Sequence, residues 1–348
     1  IQSSEWSALV AAPLSKRYRQ DGFLAHLIGY VSTVGSGEGQ AGLEKAYEEL
    51  LKKGGPRQEL HSIVDAHGQS IPGIKLKVRT EKTEKDAVVL TIDKRIQELV
   101  EKTMNQRVAK GAVVVIDVKS KDILAMASRP TFNQYQVEKY LAEDIDSTLT
   151  NRVFSAYYPG SLFKIVVSIA ALHEDIVKTD DKFVCTGKYA YNDQLATSCW
   201  KEEGHGELSF AAAFANSCNP TFIKVGLSLG RARLLQQVAE LHLTDKRIIG
   251  LDRVNASTYV KIDGGEAAMG NACLGQQGVM LSPLQISSLL ATVADGGYWA
   301  PPAIIKYTLD SKGKQHYPAR ENKVRVIDAA VNQEVQRMME KVVNEGTG

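Results

Sequence analysis

The 348 residues are 44% hydrophobic and 24% charged, ordinary proportions for a globular chain long enough for two domains and a large core. Lysine and arginine outnumber aspartate and glutamate by only 42 to 40 and the signs are mixed along the chain, which excludes a nucleic-acid binder. No apolar run reaches the roughly 18 residues needed to span a bilayer, and Ile1 opens neither a signal peptide nor an initiator methionine, so the chain reads as a fragment of a longer protein.

Residues 1 to 87 are rich in glycine and turn formers, as in STVGSGEGQAG (32–42) and KKGGPRQ (52–58), around one short helical pattern, GLEKAYEELLKK. That composition predicts a small, loop-rich α+β module. From residue 88 the patterns are firmer. TIDKRIQELVEKTMNQRVAK predicts a helix with Ile96, Leu99, Val100, Met104 and Val108 on one face and Asp93 as its cap. GAVVVIDVKSKDILAMASRPTF predicts a hairpin with strands at 112–118 and 122–128.

The stretch YYPGSLFKIVVSIAALHE (157–174) is where chemistry first shows. Pro159 and Gly160 are breakers, so a helix is expected from Ser161 to about His173, apolar nearly all round and therefore buried. Residues i and i+3 are neighbours on a helix, which brings Lys164 within reach of Ser161. An unperturbed lysine titrates near 10.4, but burial among aliphatic side chains disfavours its charged form and makes it a usable base. The helix start favours negative charge developing beside Ser161, and the pair reads as an activated serine nucleophile. An isolated S-x-x-K is more often a capped core helix with a snorkelling lysine, so a partner motif is needed.

One follows in LSFAAAFANSCNPTFIKVGLSLG (208–230). A helix from about Ser209 ends at Asn216, Pro220 restarts another, and the corner between them is Ser217-Cys218-Asn219. A spacing of two lets the hydroxyl and the carboxamide project into one space, Ser217 to pass a proton and Asn219 to bind a substrate amide and hold the lysine. Cys218, between them, is expected to pack inward as a small hydrophobe.

Four cysteines stand at Cys185, Cys199, Cys218 and Cys273, without C-x-x-C pairs, which predicts no metal. His205, in GHG, is set aside as a triad histidine because no G-x-S-x-G elbow is present. Towards the end, AIIKYTLDSKGKQHYPA (303–319) reads as a hairpin turning at Ser311 to Lys314. DAAVNQEVQRMMEKVVNEG (328–346) reads as a helix capped by Asp328 and stopped at Gly346.

In this order, S-x-x-K and S-x-N resemble the penicillin-interacting serine acyltransferases. AHLIGYV (25–31), GLEKAYEELL (42–51) and DAHGQSI (65–71) are similar to the N-terminal pedestal of class B penicillin-binding proteins. LTIDKRIQ (90–97), GAVVVIDVKSKDILAMASRPTFN (111–133), NRVFSAYYPGSLFK (151–164), CW with GHG (199–206) and GQQGVMLSPLQISSLLATVADGG (275–297) resemble their transpeptidase domain.

The resemblance implies an α+β fold of the serine β-lactamase-like transpeptidase type, an antiparallel sheet with helices on both sides, over residues 88–348, with a pedestal or dimerisation domain over 1–87. It implies a D,D-transpeptidase that forms an acyl-Ser161 intermediate with the D-Ala-D-Ala end of a peptidoglycan stem peptide and is acylated by β-lactams, with Lys164, Ser217 and Asn219 as the other catalytic residues. It implies no cofactor, a membrane glycosyltransferase as partner, self-association as a homodimer, and an extracytoplasmic location behind an N-terminal membrane anchor. That location permits a Cys185–Cys199 disulfide. Gln276 and Gln277, between Gly275 and Gly278, are weaker candidates for the cleft floor, with support of the active-site strand as their structural role. The family's third element, K-[ST]-G, does not occur after Ser217, and the natural protein is expected to continue beyond Gly348. Two competing readings are a catalytically idle scaffold or β-lactam sensor of the same fold, and an unrelated Ser-Lys hydrolase.

Overall fold

The computed structural model describes residues 16–32, 37–52, 57–61, 63–67, 71, 77–81, 86–143, 145–251 and 258–348. The turn-rich runs 32–42 and 52–58 and the segment 65–71 lie partly outside the described residues. The chain divides into two compact units, one of residues 1–90, 132–143 and 305–318, the other of 91–131, 144–304 and 319–348.

In the first unit, short helices Ala25–Ile28, Gly42–Ala46 and Glu48–Lys52 precede an antiparallel pair, Arg57–His61 with Lys77–Glu81. The Arg17 guanidinium donates to both carboxylate oxygens of Glu44, at 2.6 and 2.5 Å, which fastens the chain before the first helix to the second. The expected hairpin at 303–319 forms from Ile305–Leu309 and Gln315–His316, and its first strand also pairs with Ala87–Leu90. The hairpin therefore joins the sheet of a unit some two hundred residues earlier in sequence, a pairing no local pattern encodes.

The second unit is built around one buried helix. The helix Lys164–His173 carries Val166, Val167 and Ile169 at 0% exposure, packed with Phe222, Ile223, Leu234, Val335 and Met338 from helices Asn219–Leu229, Arg231–Glu240 and Ala329–Glu345. A surface apolar nearly all round has little to give to water, so this helix becomes the centre of the core.

The hairpin of Gly111–Ile116 and Ile123–Arg129 is antiparallel and packs against the helices Lys94–Arg107 and Pro283–Ala294. The remaining described strands of the unit are short antiparallel pairs, Lys182–Cys185 with Gly206–Ser209 and Lys188–Ala190 with Ala196–Ser198 among them. Among the described residues the antiparallel content is thus divided into small sheets. No helix of the described residues is long and apolar enough to cross a membrane.

Two helix expectations need correction in detail. Asp93 caps Lys94–Arg107 by accepting from the Arg95 and Ile96 amides, but the inward face carries Gln97 and Met104, and Leu99 is 65% exposed. Gln97 is drawn in because its amide donates to the Met126 carbonyl and accepts from the Met126 N–H, satisfying strand backbone inside the unit. Asp328 stands at the cap position of Ala329–Glu345, but its side chain makes no capping bond and lies 3.7 Å from His173 instead.

Candidate active site

Gly160 opens the site. Its φ of +58° lets the chain turn sharply out of Pro159 into a 3-10 turn, Gly160–Phe163, that runs straight into the buried helix at Lys164. The Gly160 N–H donates to the Gly275 carbonyl at 2.9 Å, and Tyr157 exchanges two backbone bonds with Leu281. The turn and short strand over 275–281 therefore clamp the approach to Ser161. Gly275 has no room for a side chain, since a Cβ there would stand 2.1 Å from the Gly160 oxygen. Ser161 itself is exposed at the mouth of the turn, and Lys164, one turn on, is buried.

The helices Phe210–Ala215 and Asn219–Leu229 meet at the expected corner. Ser209 caps the first by accepting from the Ala212 amide, and Pro220 in the first turn of the second forbids a continuous helix. Between them Ser217 takes a left-handed conformation, φ +52°, with its N–H on the Phe214 carbonyl and the Cys218 N–H on the Ala213 carbonyl. A serine held there is strained, and the surrounding bonds must impose it.

Lys164 meets this corner with all three of its ammonium protons. Nζ donates to the Ser217 carbonyl at 2.8 Å, to Ser217 Oγ at 3.0 Å and to Asn219 Oδ1 at 2.8 Å, and it lies 5.3 Å from the centre of the Phe222 ring. Ser217 Oγ in turn donates to Ser161 Oγ at 2.8 Å. The lysine is therefore linked to Ser161 through Ser217, where the sequence suggested a direct contact within the helix. Asn219 is oriented from its other end, its Nδ2 donating to the Ser198 carbonyl at 3.1 Å.

Burial pulls Lys164 down to about 8, with the neighbouring charges of Cys218 and Cys199 resisting the fall. Its acceptors are neutral oxygens, which satisfy an ammonium without the full stabilisation a carboxylate would give. Gln276 and Gln277 are exposed on the turn that follows helix Glu266–Cys273, beside the Gly275 carbonyl that holds Gly160.

Cys185 and Cys199 are free thiols in this structure. Their sulfurs gather with Cys218 Sγ and a ring nitrogen of His205, all within 4.8 Å of one another. The expectation of no metal rested on local spacing, and here four metal-type donors come from separate segments of the chain. Sequence reasoning missed this convergence, together with Ser198 and Gly275; the glycines at 187, 204 and 206 were the available signal for the first.

Comparison with known proteins places the chain in a family. The family model described as Penicillin binding protein transpeptidase domain matches residues 111–348. The chain is 29% identical over 351 residues to Stage V sporulation protein D of Bacillus subtilis, covering 97% of this chain and 52% of that protein. It is 27% identical over 341 residues to Peptidoglycan D,D-transpeptidase FtsI of Escherichia coli K12, covering 96% and 54%. The chain thus spans about half the length of these curated relatives. Among solved structures, a ceftriaxone acyl-enzyme complex of penicillin-binding protein A from M. tuberculosis superposes with a TM-score of 0.75 at 21% identity, covering 92% of this chain and 73% of that one, a likeness of fold.

Proposed function

The chain belongs to the penicillin binding protein transpeptidase domain family, and on that premise we propose that it carries the acyl-transfer centre of a peptidoglycan D,D-transpeptidase, with Ser161 as nucleophile and Lys164 as base. The observation that carries this reading is the hydrogen-bonded line from Lys164 Nζ through Ser217 Oγ to Ser161 Oγ, with steps of 3.0 and 2.8 Å.

A lysine at about 8 is neutral in about a tenth of molecules at pH 7, against well under a thousandth for an unperturbed one. In that fraction Nζ accepts the Ser217 proton while Ser217 accepts that of Ser161, and Ser161 Oγ attacks the penultimate D-alanine carbonyl. A Ser161–acyl bond forms, the peptide C–N bond breaks, and the proton returns through Ser217 to the departing D-alanine amine. The Ser161 N–H, in the 3-10 turn that leads into the helix, is suited to donate to the tetrahedral oxyanion. An amine from a second stem peptide then takes the acyl group, and water in its place gives a carboxypeptidase. Asn219 holds the lysine and is placed to bind the substrate amide.

β-Lactams enter the same reaction as cyclic mimics of the acyl donor. The reaction takes place on the outer face of the plasma membrane, where stem peptides are displayed, beside a membrane glycosyltransferase of the synthesis complex, with residues 1–87 as the module that docks there. Fluorescent penicillin tests the reading: the full-length protein should take up label covalently, and Ser161→Ala should take up none. Persistent labelling of Ser161→Ala overturns the nucleophile, and an unlabelled but folded wild type favours the idle scaffold.

A further inference from the structure

Behind the Ser217-Cys218-Asn219 corner, we propose a structural zinc site formed by Cys185, Cys199, Cys218 and a ring nitrogen of His205. The four donor atoms lie within 4.8 Å of one another, and Cys199 Sγ stands 3.6 Å from His205 Nδ1. With Zn–S about 2.3 Å and Zn–N about 2.0–2.1 Å, a tetrahedral ion sets S···N edges of about 3.6 Å and S···S edges of about 3.8 Å. One edge already has that length, and the widest closes by about 1 Å. Three sulfurs and one imidazole in a tetrahedron select zinc over calcium or magnesium, which take oxygen ligands.

The backbone is shaped for this. Cys185 ends the strand Lys182–Cys185, Cys199 follows Ala196–Ser198, and His205 precedes Gly206–Ser209. Two loops, Cys185-Thr186-Gly187 and Gly204-His205-Gly206, are pressed together so closely that a Cβ on Gly187 would lie 1.8 Å from the Glu202 oxygen and one on Gly204 2.2 Å from that of Cys185. The N–H groups of Gly187 and His205 are directed at the Cys185 sulfur, with Cys218 and Cys199 beside it. Backbone donors aimed at a sulfur stabilise a thiolate ligand. The Thr221 hydroxyl donates to Cys218 Sγ at 3.3 Å.

His205 is the least satisfied member. Its Nε2 is buried without a partner among the described residues, its ring packs edge-on to Trp200, and its Nδ1 contacts only a thiol. A buried imidazole facing three thiols gains little from them and much from a cation. Binding releases the three thiol protons to solvent and leaves a net charge of minus one, close to the Lys164 ammonium.

The site has a consequence for Ser161 that rests on the transpeptidase reading. Cys218 separates the two residues that hold Lys164, and Ser217 is kept in a strained conformation. A metal on Cys218 fixes that corner from behind.

Metal analysis of the full-length protein, isolated under reducing conditions without chelators from zinc-supplemented cells, tests the site directly. About one zinc per chain is expected, falling to background in Cys185→Ser and His205→Ala and unchanged in Cys273→Ser. Cobalt added to zinc-stripped wild type should give thiolate-to-cobalt charge-transfer bands, a readout that needs no variant to fold. Zinc at background with no cobalt spectrum, zinc retained equally in all variants, or a Cys185–Cys199 disulfide in the freshly isolated protein would each overturn the proposal. Stripping zinc should slow penicillin acylation at least about tenfold, recovered on adding it back; an unchanged rate overturns the positioning role. Zinc-replete protein that is never acylated leaves the metal site standing and refutes the transpeptidase reading.

Discussion

Two lysines of the larger unit are equally hidden, each 2% exposed, and the chain uses them in opposite ways. Lys121 donates to the carbonyls of Val118 and Ala291 and lies 3.2 Å from Asp295, whose carboxylate also holds Lys119 at 2.7 Å and Lys323 at 2.9 Å. Lys164 donates to two neutral side-chain oxygens and one carbonyl. Burial lowers both, but Asp295 supports the charged form of Lys121, whereas Lys164 falls to about 8. Asp295 in turn would be pushed up by burial and is held at about 2 by its three lysines. One ammonium is held as a structural strut and the other is left open to lose its proton, as the proposed base must, and the difference is a single carboxylate.

That contrast breaks most visibly at Lys164 itself. Lys164→Met should slow acylation by penicillin about 10²- to 10⁴-fold, the usual worth of a positioned base, as stopped-flow labelling would measure. A rate within a few-fold of wild type removes the lysine from the reaction. Asp295→Ala should instead leave the folded protein's acylation rate within about twofold of wild type, while lowering stability in denaturant titration by about 3–5 kcal/mol, because a buried lysine loses its partner. If acylation collapses without loss of stability, the two lysines are not the separate devices described here.

Much of this division was readable beforehand, for reasons particular residues make plain. Ser161 and Lys164 are three apart at the start of a segment that is apolar nearly all round, so their proximity followed from pattern, while the Ser217-Cys218-Asn219 partner was needed to set a buried amine above a snorkelling one. The Ser217-Cys218-Asn219 corner was equally plain, since Ser209 and Pro220 punctuate it. The Lys164 connections to residues 217 and 219 span more than fifty positions, and only packing shows that Ser217 stands between Lys164 and Ser161.

Long-range polar pairing misled the reading of Lys94–Arg107, where a buried Gln97 replaced Leu99 on the inward face. The cysteine and histidine cluster was hidden for the same reason: its donors are contributed by two strand ends, a glycine loop and a helix cap, with no short spacing to betray them.

A third substitution sharpens the comparison by disturbing neither lysine. Gly275→Ala puts a Cβ against the Gly160 oxygen in a left-handed residue, φ +66°, and should cost more than the about 1–2 kcal/mol of the left-handed conformation alone, because backbone must shift, read as a lowered Tm and a reduced acylation rate. An unaltered Tm would mean the clamp on the Ser161 turn is slack.

The pH dependence of acylation is the most direct measurement of Lys164 as base. Only the neutral amine accepts a proton, and its fraction grows as pH rises, so the second-order rate of β-lactam acylation should climb about tenfold per pH unit below the lysine's pKa and level off above about 8. Lys164→Met should lose that limb while Asp295→Ala keeps it. A wild-type profile that is flat between about pH 6 and 9, or that still rises beyond about 10 as an unperturbed lysine would, contradicts the assignment.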